Sequence, residues 1–131
     1  MSKIIHIAAA LLLDGQGHTL LVRKRGTTAF MQPGGKIESH EQPVQALVRE
    51  LHEELGIAID PQLPQFLGRY SAPAANEPGY EVRCELFSVT LSGPVSPAAE
   101  IEEARWVDAA AAQRLELAPL TREQILPLHF R

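Results

Sequence analysis

Cysteine is almost absent from this chain. Cys84 stands alone, which excludes an intramolecular disulfide and a thiolate-rich metal site and suits a reducing compartment, the cytoplasm. Basic residues are in short supply too. Twelve Lys and Arg face sixteen Asp and Glu, for a net charge of -4, whereas chains that grip nucleic acid backbones usually carry a basic excess. No stable nucleic acid partner is expected. No apolar run approaches the ~18 residues that span a membrane, so no membrane partner is expected either. Internal repeats, low-complexity tracts and linkers are also missing. What remains is a globular composition, 45% hydrophobic and 21% charged over 131 residues. At roughly 100–200 residues per domain, that is one domain, 1–131.

Lys3 and the apolar stretch after it imitate a short secretory signal. However, His6 interrupts the stretch and Asp14-Gly15 ends it, which favours an opening β-strand over 4–13, buried on both faces. Asp14-Gly15-Gln16-Gly17 is turn chemistry, and HTLLVRK (18–24) returns as the second strand of a hairpin. Residues 26–35 hold Gly, Thr and Pro without periodicity and predict a loop. The clearest helix lies over 42–55, where Val44, Leu47, Val48, Leu51 and Leu55 form one apolar stripe. Pro43 suits its first turn and Gly56 the position past its end. Strands are predicted over 66–71, 81–91 and 104–107, with Val82, Cys84 and Leu86 forming one inward face of the second. Asp108 is a cap for a helix over 109–115, and Thr121 starts a last short one. Strands mixed with two or three helices imply an α/β sheet covered on both faces.

The chemistry concentrates in GKIESHEQPVQALVRELHEELGI, residues 35–57. Glu50, Glu53 and Glu54 stand at i, i+3 and i+4, so three carboxylates share one patch of the helix, turned away from the apolar stripe. Their mutual repulsion needs an offset. Arg49, one turn before Glu53, supplies part of it, and a divalent cation would supply more. Carboxylate oxygens suit hard ions such as Mg²⁺ or Mn²⁺, and Mg²⁺ is typically shared with substrate phosphates. Pro33-Gly34-Gly35 lets backbone groups approach an ion or phosphate, while Arg23, Lys24, Arg25 and Lys36 add local positive charge. Acids for metal beside cations for phosphate is what phosphoryl chemistry on a polyanion requires.

This segment resembles the box of the Nudix hydrolases. Gly35, Glu41, Arg49, Glu50, Leu51, Glu53, Glu54, Gly56 and Ile57 fill every defined position, a match with a chance probability on the order of 10⁻⁷ at ordinary residue usage. The resemblance implies an α/β/α sandwich with a mixed β-sheet. It also implies that Glu50, Glu53 and Glu54 ligate Mg²⁺ or Mn²⁺, helped by the backbone of Gly34 or Gly35. By the same carry-over, Arg49 orients a box glutamate, Glu41 ties the loop to the helix, and an acid outside the box serves as base or extra ligand. Glu100, Glu102 and Glu103 are candidates for that acid, with Glu100 favoured, and the proton acceptor is either Glu53 or Glu100. Arg23, Arg25 and Lys36 are candidate phosphate contacts, and Phe30 a candidate nucleobase contact. The chain departs from the pattern at His40, where members often carry Gly, and at Gln42, where they often carry Ser or Thr.

The implied activity is hydrolysis of a diphosphate linkage in a nucleoside diphosphate joined to some group X. The short chain and PGGKIE are similar to the MutT-like branch, which converts nucleoside triphosphates to monophosphate and pyrophosphate. Pro73, sixteen residues after the box, resembles the ADP-ribose pyrophosphatase branch instead, which extends the alternatives to nucleotide-sugar substrates. The Ser-Gln-Pro-Trp signature of NADH pyrophosphatases is absent. A non-catalytic nucleotide-sensing module usually lacks box acids, and this chain keeps them all. An RNA-cap hydrolase fits poorly with the net charge. A homodimer is compatible with the resemblance. Outside the box, His40 and His52 are expected on the surface, and Cys84, Trp106 and Phe130 in the core.

Overall fold

The apolar run that opens the chain becomes the middle of a sheet. The computed structural model describes residues 3–91 and 93–130. Within it, strand β1 (Lys3–Leu13) pairs in parallel with β5 (Tyr80–Thr90) along its whole length, from Lys3↔Tyr80 to Leu13↔Thr90. β4 (Gln65–Pro73) lies antiparallel on the far side of β5. β2 (Thr19–Lys24) pairs antiparallel with β6 (Ile101–Val107). The sheet is mixed and open, in the order β4-β5-β1-β2-β6.

The β1–β2 hairpin is shorter than the sequence suggests: its register closes only at Leu13↔Thr19. Beyond that point the strands part, and the stretch 31–36 fills the gap. Met31 exchanges both backbone hydrogen bonds with Val22, at 2.8 and 2.9 Å, and Pro33 O accepts from Ala10 N at 2.9 Å. A further strand, β3 (Gly34–Lys36), then pairs antiparallel with β1 from Ala9↔Gly34 to Ile7↔Lys36. The expected loop over 26–35 is therefore half sheet. Its pairing is dictated by the free edges of β1 and β2, and three residues are too few to show alternation.

Helix α1 (Pro43–Leu55) covers one face. Leu47, Leu51 and Leu55 are fully buried against Ala8, Ala10, Leu12, Leu20, Phe87 and Val89. Each such leucine contributes about 1.5–3 kcal/mol of burial, far more than the few tenths of a kcal/mol by which like charges one turn apart oppose a helix. Packing decides where α1 sits, and its glutamates are carried along. The alanines of β1 give the helix room. Gln42 serves as N-cap, and its backbone N–H donates to the Gln45 side chain at 2.8 Å, so the departure from Ser or Thr is compensated locally.

The opposite face is covered by α2 (Ala109–Gln113), a π-helical turn at Thr121–Ile125 and α3 (Leu126–His129). Asp108 caps α2 by accepting from Ala111 N at 2.8 Å. Leu120 and Ile125 pack on Ala9, Leu11, Cys84 and Leu86, while Leu126 and Ala112 pack on Leu21, Phe30 and Val107. β5 is thus buried on both faces, since Phe87 and Val89 point to α1 as Cys84 and Leu86 point away. The expected single inward face was half of the pattern. Helices on both sides of a mixed sheet make the three layers anticipated from the sequence.

Candidate active site

The acidic patch of α1 faces β3 and the segments before β6, across a cleft of about 530 Å³. Its walls carry Glu50, Glu53 and Glu54 from α1, Gly35 and Lys36 from β3, Lys24 from the end of β2 and Glu100 just before β6. Two glycines make this approach possible. A Cβ at Gly34 would stand 2.2 Å from Ala8 O, so only glycine lets β3 lie against β1 here. A Cβ at Gly35 would stand 2.4 Å from the Glu50 carboxyl carbon, so only glycine lets that carboxylate rest on the strand.

The three glutamates differ sharply in exposure. The Glu53 side chain is 52% exposed and that of Glu50 15%, while Glu54 as a residue is only 7% exposed. Of the expected outward patch, Glu50 and Glu54 are wedged between helix and sheet, while Glu53 stays half-exposed. Burial pushes the Glu54 carboxyl up to about 7, with the neighbouring Glu50 charge adding to the rise, against the Gly34 N–H that donates to Oε1 at 3.4 Å. Burial likewise raises Glu50, opposed by Arg49. Buried oxygen donors that resist carrying charge are a set that a hard divalent cation fits. Among the described residues no three acid, His or Cys groups stand converged as a ready-made cage. Instead, Arg49 Nη1 sits 3.5 Å from both Glu50 Oε1 and Glu53 Oε2.

Arg49 also forms a second, tighter attachment. Its Nε and Nη2 donate to the two carboxylate oxygens of Glu41 at 2.8 and 3.0 Å, and Nη2 donates to Lys36 O at 3.1 Å. The fork geometry of guanidinium suits such a bidentate pair. Glu41 Oε1 in turn accepts from Glu38 N at 3.0 Å. One arginine therefore fixes the loop before α1 and touches two of the cleft acids.

The cations arrange themselves differently from the expectation. β2 alternates and carries a register shift between Arg23 and Lys24, a device that re-aims side chains beside functional sites. Lys24 turns into the cleft, 3.9 Å from Glu100. Arg23 turns the other way, pairs with Glu103 at 3.2 Å and lies over the Phe30 ring. Arg25 is largely exposed beside Glu102 and Ala99 O. Phe30 is only 5% exposed, packed with Leu21, Val107 and Leu126 and flanked by Arg23 and Arg105. Of the expected substrate contacts, Lys36 lines the cleft, whereas Arg23, Arg25 and Phe30 are not among its lining residues. Of the three acids before Trp106, only Glu100 lines it, since Glu102 and Glu103 are turned to Arg25 and Arg23.

Gly34, Gly35, Lys24, Lys36 and Glu54 also border a smaller apolar chamber that opens beside the cleft. Glu77, from the loop between β4 and β5, borders both spaces. Nothing in the sequence marked Glu77, whereas strand alternation around Arg23 and Arg25 could have singled out Lys24.

The NUDIX domain model matches residues 4–128. The chain belongs to the NUDIX domain family. Among curated relatives of this Nudix domain, the 8-oxo-dGTP diphosphatase of Proteus vulgaris is 41% identical over 61 residues, which is 44% of this chain and 54% of that protein. Phosphatase NudJ of Shigella boydii is 31% identical over 127 residues, covering 92% of this chain and 80% of that one. The chain therefore spans about half the length of the diphosphatase that it matches. A solved MutT NUDIX hydrolase from Burkholderia pseudomallei superposes with a TM-score of 0.74 at 23% identity, over 92% of this Nudix domain and 94% of that chain. At that identity it shows the fold. Among the described residues no helix is long and apolar enough to cross a membrane.

Proposed function

We propose that this chain, as one Nudix domain, is a Mg²⁺- or Mn²⁺-dependent pyrophosphohydrolase of nucleoside diphosphates joined to a group X, and that its preferred substrates are nucleoside triphosphates in the manner of the MutT-like branch. The observation that carries this proposal is the convergence of Glu50, Glu53, Glu54, Glu100, Lys24 and Lys36 on one cleft that opens beside an apolar chamber. Oxygen donors, lysines for phosphate and an apolar space for a base are the three parts such a substrate requires.

In this proposal Glu50, Glu53 and Glu54 hold the cation, with the backbone of Gly35. A divalent cation held there would supply charge neutralisation for the phosphates and Lewis-acid activation of water. Lys24 and Lys36 hold the phosphate oxygens. Arg49 positions Glu50 and Glu53. Glu100 is exposed to the cleft and accepts the proton of the attacking water at its carboxylate. The water oxygen bonds to phosphorus, the bridging P–O bond breaks, and a triphosphate leaves as monophosphate and pyrophosphate. The lone cysteine agrees with a cytoplasmic setting.

A second reading, ADP-ribose or nucleotide-sugar hydrolysis, draws on Pro73, which lines the apolar space next to Ala75 and Leu120. The test is release of pyrophosphate from nucleoside triphosphates, and of AMP from ADP-ribose, with Mg²⁺ present. Glu53→Gln and Glu54→Gln are expected to lower kcat by two orders of magnitude or more, with the circular dichroism of the folded chain retained. Near-normal turnover in both variants would overturn the assignment. Nucleotide binding without turnover in the wild type would make the chain a sensor.

A further inference from the structure

Besides Asn76 and Glu77, the apolar chamber beside the cleft is lined by a buried polar side chain, Gln32, that the proposed reaction does not use. Its apolar walls include Ile7, Val22, Met31 and Val82, and an adjoining smaller space that shares Ile7, Met31 and Val82 adds Pro73 and Leu120. Gln32 lines both spaces, and Thr121 the smaller one. Both are buried, Gln32 to 7% exposure and Thr121 to 1%. The Thr121 hydroxyl donates to Gln32 Oε1 at 2.7 Å. Gln32 Nε2 is buried and has no hydrogen-bond partner among the described residues. A buried donor left unpaired is costly and calls for an explanation. Here it stands in an apolar slot whose other end meets the lysines and glutamates of the cleft.

We propose that Gln32 Nε2 reads the base of the substrate by donating to a ring carbonyl on the edge remote from the sugar, so that keto bases are preferred over amino bases. The inference rests on the proposal that the cleft takes the phosphates, because that places the base toward Gln32. Thr121 is the positioning residue. Its hydroxyl holds the oxygen end of the amide, which leaves the nitrogen end for the ligand. A flat ring fills the apolar walls and one carbonyl satisfies the orphan donor. An amino group at the same position presents a donor to a donor and leaves both unpaired. A site built around one hydrogen bond rejects an analogue that lacks the partner far better than an apolar wall rejects a change in size.

The test compares two substrates of nearly identical shape: inosine triphosphate, with a carbonyl at C6, and purine riboside triphosphate, with hydrogen there. ATP is the amino counterpart. For the full chain with Mg²⁺, kcat/KM is expected to favour inosine triphosphate by tenfold or more over each of the other two. In Gln32→Leu and Gln32→Met the ratio to purine riboside triphosphate is expected to fall to within threefold of one. In Thr121→Val the amide is free to turn, and ATP is expected to gain on inosine triphosphate. A ratio near one in the wild type, or a ratio preserved in both Gln32 variants while both rates drop together, would overturn the inference and leave the proposed reaction standing. Calorimetric titration of the corresponding monophosphates reads the same preference without turnover. Loss of hydrolysis alone therefore counts against the reaction, whereas equal binding or no binding of both monophosphates counts against base reading.

Discussion

His40 shows how a departure from the box pattern is carried as backbone strain. It lies at φ 70, in the left-handed region where an L side chain costs about 1–2 kcal/mol and where related boxes often carry glycine. The position is exposed. His40→Gly is expected to raise stability by about 1 kcal/mol, after the added freedom of the unfolded chain is discounted. The shift would be seen as a higher urea midpoint at constant slope. A β-branched His40→Val should move the midpoint down. A fall in the glycine variant would mean that the loop is held in its shape by the imidazole itself. Single residues were also where the sequence was hardest to read. Lys24 differs from Arg23 and Arg25 only in the parity of its position on β2 and in the register shift beside it. Phe30, a candidate nucleobase contact in a predicted loop, pairs with Leu117 across the chain and packs with Leu126 of α3. Gln32 and Thr121 meet across a separation of 89 residues, which no local pattern encodes.

At the scale of elements, α1 and the strands were legible because burial imposes a period of 3.6 or 2 on them. β3 was not, because a three-residue strand between two edges is defined by its hydrogen bonds alone. The join between β3 and α1 depends on Glu41 and Arg49, and it has a pH signature. The Arg49 guanidinium hydrogen-bonded to Glu41 lowers that carboxyl from its ordinary 4.5 to about 2. A depressed carboxyl contributes stability that is complete above the unfolded value and is lost as pH falls through the folded one. The window is therefore roughly pH 5 down to 2. Glu41→Gln should be less stable than wild type at pH 7, and the gap should narrow as pH drops toward 3, read from paired urea midpoints. A gap as wide at pH 3 as at pH 7 would place the effect in packing of the side chain instead of its charge. Arg49 also contacts Glu50 and Glu53, so this join reaches the acids that the packing of α1 brings to the cleft.

For the whole molecule, the cleft gathers groups from distant parts of the chain: Lys24 ends β2, Gly35 lies on β3, Glu50 to Glu54 sit on α1, and Glu100 precedes β6. A cation shared by α1 and β3 would act as a cross-link between helix and sheet, and the unfolded chain offers no such arrangement. Anything that binds only the folded form stabilises it by mass action, about 2.7 kcal/mol at a hundredfold excess over Kd. For a chain of this size that corresponds to a rise in Tm of roughly 10 °C. Scanning calorimetry in EDTA and in graded Mn²⁺ or Mg²⁺ should show Tm climbing with the logarithm of metal concentration. In Glu54→Gln the climb should be much reduced, because a neutral amide replaces the most buried of the three donors. The EDTA baseline of that variant carries separate information. Burial already disfavours the Glu54 charge, so its removal should leave Tm in EDTA unchanged or higher even as the metal response disappears. Tm values that coincide in EDTA and in millimolar Mn²⁺ would mean that these carboxylates hold no cation, and the proposed hydrolysis would lose its metal.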